Sequence, residues 1–196
     1  IMDRDDIAKI REKLKKNLSD ARYQHTLGVA YTAACLAMRY DADPLKAETA
    51  GLLHDCAKQY KDKELLKVCM EKGFPLGEEE KKAPQILHAI YGPSLAEKVY
   101  DVHDREILDA IRWHTTGKPD MNLLEKIIFT ADYIEPNRYK SDNLNIVRPL
   151  AFQDLTACIF KITGDTLIYL EQKGYFIDQM TKTCYDWLKE NGTHDI

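Results

Sequence analysis

Hydrophobic residues recur at three- and four-residue steps along almost the whole chain, and this spacing restricts what it can fold into. Ile7, Ile10 and Leu14 follow the pattern near the start, as expected for the apolar stripe of an amphipathic helix. We find no convincing run of alternating β-branched residues, no internal repeat and no low-complexity segment. The sequence therefore predicts an all-α fold.

Capping residues and prolines divide this pattern into separate helices. Ser19 or Asp20 can cap one helix, Asp43-Pro44 is a start signal, and Asn122-x-x-Glu125 resembles a capping box. The predicted helices cover residues 3–18, 20–39, 44–54, 63–72, 78–88, 104–114, 122–133, 152–172 and 177–190, with another beginning at Pro93. We expect a single domain over residues 2–196, a helical bundle of about nine or ten helices.

Length, composition and charge exclude several classes of protein. A chain of 196 residues can bury a hydrophobic core without disulfides. Its composition, with 44% hydrophobic and 31% charged residues, is typical of a globular protein. A net charge of −4 argues against a nucleic-acid partner. Five cysteines without a C-x-x-C pair, and no apolar stretch long enough for a signal or a membrane span, predict a reduced cytoplasmic protein without a membrane partner.

Three His-Asp dipeptides occur, and their surroundings separate them. His54-Asp55 follows an apolar run on a predicted core helix, where a charged carboxylate is costly unless it is paired or bound to a cation. An ion pair with Lys58, one turn later, is the alternative explanation of Asp55. His103-Asp104 lies in a polar run in which Asp104 is better explained as a helix cap, and His194-Asp195 lies at the end of the sequence, where fraying is expected.

Further histidines and a second aspartate stand at apolar helix positions. His25 lies beside the apolar face of an earlier helix, and Asp132 closes an apolar helical run. Together with His54 and Asp55 they predict a site for iron, manganese, cobalt or zinc, which these ligands suit. His88 and His114 each close an apolar run as well; they could hold a second metal, bind phosphate, or be ordinary core histidines.

This order of residues resembles the H…HD…H…H…D signature of the HD phosphohydrolase superfamily. Five segments are similar to the bacterial YqeK family, described as symmetrical bis(5′-nucleosyl)-tetraphosphatases, and the resemblance covers roughly residues 5–190. These segments are Arg22-Tyr23-Gln24-His25-Thr26, Leu52-Leu53-His54-Asp55-Cys56-Ala57-Lys58, Ile86-Leu87-His88-Ala89, Ile111-Arg112-Trp113-His114-Thr115-Thr116-Gly117 and Ala131-Asp132-Tyr133-Ile134-Glu135-Pro136-Asn137-Arg138. After Arg138 this chain reads Tyr139-Lys140-Ser141 where the family usually has an aromatic-Pro-Gly segment, so the rim of the pocket is expected to differ.

The resemblance implies an all-α HD fold, bound iron, and cleavage of diadenosine tetraphosphate (Ap4A) into two ADP. On this interpretation, metal-activated water attacks a middle phosphorus, and one or two ions are bound. The residues expected to take part in catalysis are Asp55, Lys58, His88 and His114. The alternatives are another HD-type nucleotide phosphohydrolase or phosphodiesterase, or a non-catalytic nucleotide-binding metal sensor. The sequence allows a homodimer without specifying one.

The substrate of such an enzyme is a dinucleoside polyphosphate or an ADP-like nucleotide, which needs cationic and hydroxyl donors around its phosphates. Arg22, Lys58 and Arg138 each accompany a ligand segment, although surface exposure is the commoner fate of such cations. Tyr175-Phe176 is a candidate slot for adenine, with ordinary core packing as the alternative. The full predicted substrate set is Arg22, Asp55, Lys58, His88, His114, Thr115, Thr116, Asp132, Arg138, Tyr175 and Phe176.

Overall fold

Eleven α-helices and two short 3₁₀ helices, with no strand, make up residues 3–192, the part of the chain that the computed structural model describes. The α-helices are α1 Arg4–Asn17, α2 Asp20–Arg39, α3 Pro44–Leu53, α4 Asp62–Glu71, α5 Glu78–Lys82, α6 Leu87–Tyr100, α7 Arg105–Trp113, α8 Leu123–Ile134, α9 Leu144–Ala151, α10 Leu155–Gln172 and α11 Gln179–Asn191. The 3₁₀ helices are Cys56–Gln59 and Pro84–Ile86. The predicted all-α class is confirmed, whereas His194-Asp195 lies outside the described residues.

The predicted capping residues begin the helices as the sequence indicates. Ser19 accepts a hydrogen bond from the backbone N–H of Arg22 at the start of α2, and Asp43 accepts two at the start of α3. Asn122 and Glu125 form the complete capping box of α8. Asp104 caps α7 by accepting from the N–H of Glu106, which supports the structural explanation of that aspartate. These bonds satisfy N–H groups that have no partner inside their helix.

The helices α2, α3, α7 and α8 form the centre of the molecule. The helix α3 contacts each of the other three, and α8 also contacts both α2 and α7. Gly51 allows α3 to approach α2 closely, since a Cβ there would lie 2.7 Å from the backbone Cα of Ala30. The helix α6 packs on α7 and on the 3₁₀ helix Cys56–Gln59. This arrangement brings the ends of α3 and α7, the start of α6 and the middle of α2 and α8 toward one region.

Two further groups of contacts complete the fold. The helix α10 packs on α8, α9 and α11, and the side chain of Arg148 on α9 donates to the backbone carbonyls of Ile134, Glu135 and Arg138. On the other side, the buried Glu48 of α3 binds two arginines of α1. Within residues 3–192 no helix combines the length and apolarity needed to cross a membrane.

The prolines of the middle region act differently from the sequence prediction. The predicted helix over residues 78–88 is interrupted, because Ala83 before Pro84 is not helical, so His88 is the second residue of α6 instead of the end of a helix. Pro93, predicted to begin a helix, lies inside α6. Gly92, next to Pro93, lies against α7, where an added Cβ would meet Ile111 at 2.9 Å.

The helix α9 is an addition to the predicted set. Leu144 and Val147 supply its buried face, but Pro149 and the polar residues before it hide the helical period in so short a segment. With α9 added, the described residues contain eleven α-helices, more than the nine or ten predicted.

Candidate metal centre

Six side chains that the sequence singled out converge from five segments of the fold. His25 lies in α2, His54 ends α3, Asp55 begins the following 3₁₀ helix, and Asp132 lies in the last turns of α8. The remaining two members are His88 at the start of α6 and His114 at the end of α7. We call these six residues the His-Asp cluster.

One part of the cluster gathers around Oδ2 of Asp55. This oxygen lies 3.4 Å from Nε2 of His54 and 3.8 Å from Nε2 of His25. Oδ1 of Asp132 closes the group, at 3.1 Å from Nε2 of His25 and 3.8 Å from Nε2 of His54. All four side chains therefore direct a possible ligand atom into one small space.

The other part of the cluster gathers around Oδ1 of Asp55. Nε2 of His88 lies 3.2 Å from this oxygen and Nε2 of His114 lies 3.6 Å from it. The two imidazole nitrogens are 3.1 Å apart. Two lone pairs at that distance repel unless a proton or a cation lies between them, so this pair of histidines also suits a shared ion.

The spacing of these atoms fits metal coordination. Ligand atoms about 2.1 Å from one ion and 90–110° apart are about 3.0–3.4 Å from each other. The buried Nε2 atoms of His25 and His54 have no aligned hydrogen-bond partner among the described residues, although carboxylate oxygens lie near both. Ligands of a common metal ion show this arrangement, because their donor atoms lie close together without being aligned for hydrogen bonds to each other. The residues of the cluster therefore fit a divalent cation.

Hydrogen bonds at the other ring nitrogen orient three of the histidines. Nδ1 of His54 lies 2.7 Å from the carbonyl of Gly51, and Nδ1 of His114 lies 2.7 Å from the carbonyl of Ile111. A carbonyl only accepts, so Nδ1 carries the proton and Nε2 presents its lone pair to the cluster. His25 is oriented in the same way by a carboxylate instead of a carbonyl, because Oε1 of Glu135 lies 3.0 Å from its Nδ1.

The electrostatics of three members of the cluster favour the protonation states that metal ligands need. Burial opposes the charge of Asp55, yet His54 and its neighbours hold the pKa of Asp55 well below the usual value. Burial likewise opposes the charge of Asp132, but the neighbouring His25, His54 and Arg138 hold the pKa of Asp132 well below the usual value. Burial lowers the pKa of His88 to about 3. Both carboxylates are therefore charged and His88 is neutral near pH 7, as coordination requires.

Cationic side chains surround the cluster on its carboxylate side. Arg22 donates to Oδ2 of Asp55 at 2.7 Å, and Arg138 donates to Oδ1 of Asp132 at 2.9 Å. Arg22, and not Lys58, is thus the ion-pair partner of Asp55, which corrects the alternative explanation of that residue. Lys58 is close enough for its charge to act on His88.

The remaining predicted residues lie in different surroundings. The hydroxyl of Thr115 is 3.2 Å from Nε2 of His88 and 3.1 Å from Nε2 of His114, so it borders the cluster directly. The buried Thr116 instead donates to the carbonyl of Gly117. The hydroxyl of Thr116 is therefore engaged in the turn at Gly117, and the predicted phosphate contact of Thr116, by its hydroxyl or its backbone N–H, stays a prediction.

Tyr175 and Phe176 are exposed, which excludes the core packing considered for them. The ring of Tyr175 lies against that of Tyr169 on α10. Among the described residues we find no hydrogen bond, ion pair or ring contact that joins either aromatic residue to the His-Asp cluster.

Glu135 is a site residue for which sequence reasoning assigned no role. It is 1% exposed and contacts His25 from behind the cluster. The sequence contains one indication of such a role, because Asp132-x-x-Glu135 places a second carboxylate one helical turn after a predicted metal ligand. Nothing local, however, indicates that Glu135 faces a helix 110 residues earlier in the chain.

The sequence of this chain matches a known protein family, and the all-helical fold with its His-Asp cluster agrees with that match. Residues 22–137 match the family model of the HD domain. The chain therefore belongs to the HD-domain family.

Relatives within that family are similar over nearly their whole length. The symmetrical bis(5′-nucleosyl)-tetraphosphatase of Bacillus subtilis (strain 168) is 39% identical over 175 residues, which cover 89% of this chain and 93% of the relative. The protein of the same description from Staphylococcus aureus (strain NCTC 8325 / PS 47) is 35% identical over 184 residues, which cover 92% of this chain and 93% of the relative. The resemblance to the YqeK family is confirmed.

A solved structure supports the same relationship. A predicted HD superfamily hydrolase involved in NAD metabolism, from Clostridium acetobutylicum, has a TM-score of 0.90 and 39% identity. The similarity covers 94% of this chain and 97% of the other. Both the fold and the arrangement of its helices are thus those of a known HD-superfamily structure.

Proposed function

We propose that this chain is a metal-dependent hydrolase that cleaves diadenosine tetraphosphate symmetrically into two molecules of ADP. The curated relatives with this activity in their names support the substrate. The observation that carries the chemistry is the position of Asp55. Its Oδ2 faces His25 and His54, and its Oδ1 faces His88 and His114.

Two metal positions that both used the Asp55 carboxylate would account for this arrangement. His25, His54, Asp55 and Asp132 would hold the first ion. Asp55, His88 and His114 would hold the second, with the Thr115 hydroxyl beside them. Iron is the proposed ion, as the family resemblance implies, and the same ligands also suit manganese, cobalt and zinc. When bound, such ions polarise phosphoryl oxygens and lower the pKa of water.

The protein's own cations bind and orient the polyphosphate. Arg22 and Arg138 reach the cluster from partly exposed positions, with side chains 39% and 40% exposed, so their guanidinium groups are also accessible to a polyphosphate. Lys58 adds a third positive charge near His88. Since the transition state of phosphoryl transfer is stabilised mainly by positioning and charge, these groups hold the tetraphosphate with a middle phosphorus at the cluster.

A cytoplasmic location forms part of the proposal. All five cysteines are free, and four of them are buried. Unpaired thiols are typical of a reducing compartment.

A substrate panel with product analysis tests the reaction. We expect purified protein to convert Ap4A faster than dNTPs, ppGpp, cyclic dinucleotides or simple phosphate esters, and to release ADP without inorganic phosphate. Turnover of any of these compounds faster than Ap4A would overturn the proposed specificity. The same assay distinguishes the alternatives, because a phosphomonoesterase releases inorganic phosphate and a metal sensor shows no metal-dependent turnover.

A further inference from the structure

Glu135 is a buried carboxylate directly behind the first metal position. Its Oε1 lies 3.0 Å from Nδ1 of His25, and its Oε2 accepts a hydrogen bond of 2.7 Å from the backbone N–H of Asn137. Both oxygens are therefore engaged as acceptors, and the side chain is 1% exposed. A carboxylate charge buried this deeply is costly unless hydrogen bonds or opposite charges compensate for the loss of water.

We propose that Glu135 is a positioning residue that sets the tautomer of His25 and thereby strengthens metal binding. The inference rests on the proposed metal site. An ionised carboxylate offers only acceptors, so the proton of a neutral His25 must lie on Nδ1. The lone pair of Nε2 then points into the cluster, 3.1 Å from Oδ1 of Asp132.

The position of His25 explains why a side chain is needed for this task. His54 and His114 follow the last residues of their helices, and each ring reaches back to a carbonyl three residues earlier, that of Gly51 or Ile111. His25 lies well inside α2, where the carbonyls are used by the helix itself. The Nδ1–H of His25 therefore needs an acceptor from a distant part of the sequence, whereas backbone carbonyls accept from His54 and His114.

Gly28 provides the space that this acceptor occupies. It lies one turn after His25 in α2, and a Cβ added there would overlap Oε2 of Glu135. Glycine is unfavourable inside a helix, so its presence calls for a local reason. Asn137 adds a second link, because its Nδ2 donates to the carbonyl of Gln24 and holds the Glu135 turn against α2.

Metal affinity of the Glu135→Gln variant tests the proposal. A glutamine has one acceptor oxygen, so it cannot satisfy both His25 and the Asn137 N–H and no longer imposes the tautomer. We expect zinc binding, measured by competition with a chelator of known affinity, to weaken about 10–100-fold, as is typical for residues that orient metal ligands. Gly28→Ala, which displaces the carboxylate without removing it, should weaken zinc binding in the same direction.

Glu125→Gln is the matched control. Glu125 is also buried, at 2% exposure, but it lies at the opposite end of α8 and pairs with Lys118 at 3.0 Å. We expect this variant to lose thermal stability in the metal-free state while keeping the zinc affinity of the wild type. If it lost as much affinity as Glu135→Gln, the effect would come from folding stability and the proposal would be wrong.

A spectroscopic measurement reports the tautomer itself. In the zinc-loaded wild type, nuclear magnetic resonance of ¹⁵N-labelled histidine should show a slowly exchanging, strongly deshielded proton on Nδ1 of His25. We expect this signal to disappear or move upfield in Glu135→Gln and Gly28→Ala, and to persist in Glu125→Gln. An unchanged signal in the first two variants would contradict the assigned role.

The outcomes separate this inference from the proposed function. A wild-type protein that binds no zinc would overturn the metal site, and the role of Glu135 with it. A wild type that binds zinc, together with Glu135→Gln and Gly28→Ala proteins of equal affinity, would overturn the positioning role alone. If Glu135→Gln fails to fold without metal, Gly28→Ala provides the same test.

Discussion

Asp55 combines deep burial with two oxygens that face different pairs of imidazoles. It is 3% exposed, and Arg22 is its ion-pair partner among the described residues. A monodentate ligand would leave one oxygen for other contacts, whereas here both oxygens lie within 3.8 Å of histidine Nε2 atoms. This geometry separates Asp55 from Asp132, whose Oδ1 faces the His25 side and the guanidinium of Arg138.

The proposed bridging role of Asp55 predicts different results for two conservative variants. Asp55→Asn removes a charge and an acceptor from both metal positions, so metal content should fall at both and kcat/KM for Ap4A should drop by more than about 100-fold, beyond the effect typical of residues that only support ligands. Asp132→Asn should deplete the first position and leave the ligands of the second intact. Elemental analysis of both purified proteins measures this difference. Equal metal content in the two variants would contradict the shared-carboxylate arrangement.

Interactions between helices determine whether these residues can meet. The C-terminal cap of α8 and the turn after it are held by Arg148, which donates to three backbone carbonyls, and this turn carries both Glu135 and Arg138. The short helix α9 therefore supports the cluster from outside. At the other face, Glu48 fixes α1 to α3 through Arg4 and Arg11, at 2.5 and 2.6 Å.

Replacement of Glu48 tests how much one contact between helices contributes to stability. Glu48→Gln keeps the shape but leaves two arginines without their buried counter-charge. We expect the free energy of unfolding to fall by about 2 kcal/mol, less than the 3–5 kcal/mol for fully buried pairs because Arg4 is largely exposed. Urea denaturation monitored by circular dichroism measures the change.

An exposed ion pair on another helix is the control for Glu48. Lys67 and Glu71 lie 3.7 Å apart on α4, with side chains 75% and 63% exposed. Glu71→Gln should change the free energy of unfolding by no more than about 0.5 kcal/mol. If both variants were equally stable, the Glu48 contact would have no net stabilising role.

The whole molecule is organised around the place where its central helices meet. The helices α2, α3, α6, α7 and α8 each bring at least one member of the cluster or its adjacent turn to that place. An ion bound there cross-links segments that are up to about a hundred residues apart in sequence. Binding to the folded state alone must then stabilise the entire fold.

Removal of the metal should therefore lower the melting temperature. At a free metal concentration about 100 times the dissociation constant, the stabilisation of about 2.7 kcal/mol corresponds to a shift of roughly 5–10 °C for a chain of this size. Differential scanning calorimetry with and without a chelator measures the shift. The Asp55→Asn protein should show little difference between the two conditions, whereas a wild type with equal melting temperatures would argue against the metal site.

Sequence by itself determined the helical class and most helix starts, because both depend on residues within four positions of each other. Asp43 and the Asn122–Glu125 box lie where their local pattern predicts. The chemistry of the cluster was also accessible, since His54-Asp55 follows an apolar run that makes an unpaired carboxylate costly.

Tertiary structure alone decided which groups touch. Arg22, and not the neighbouring Lys58, pairs with Asp55, and Glu135 reaches His25 across 110 residues of sequence. The division of the four histidines between two oxygens of one carboxylate likewise has no local signal. These contacts depend on how closely the helices approach, as Gly51 allows for α2 and α3, and such distances follow from the packing of the whole core instead of from any short segment.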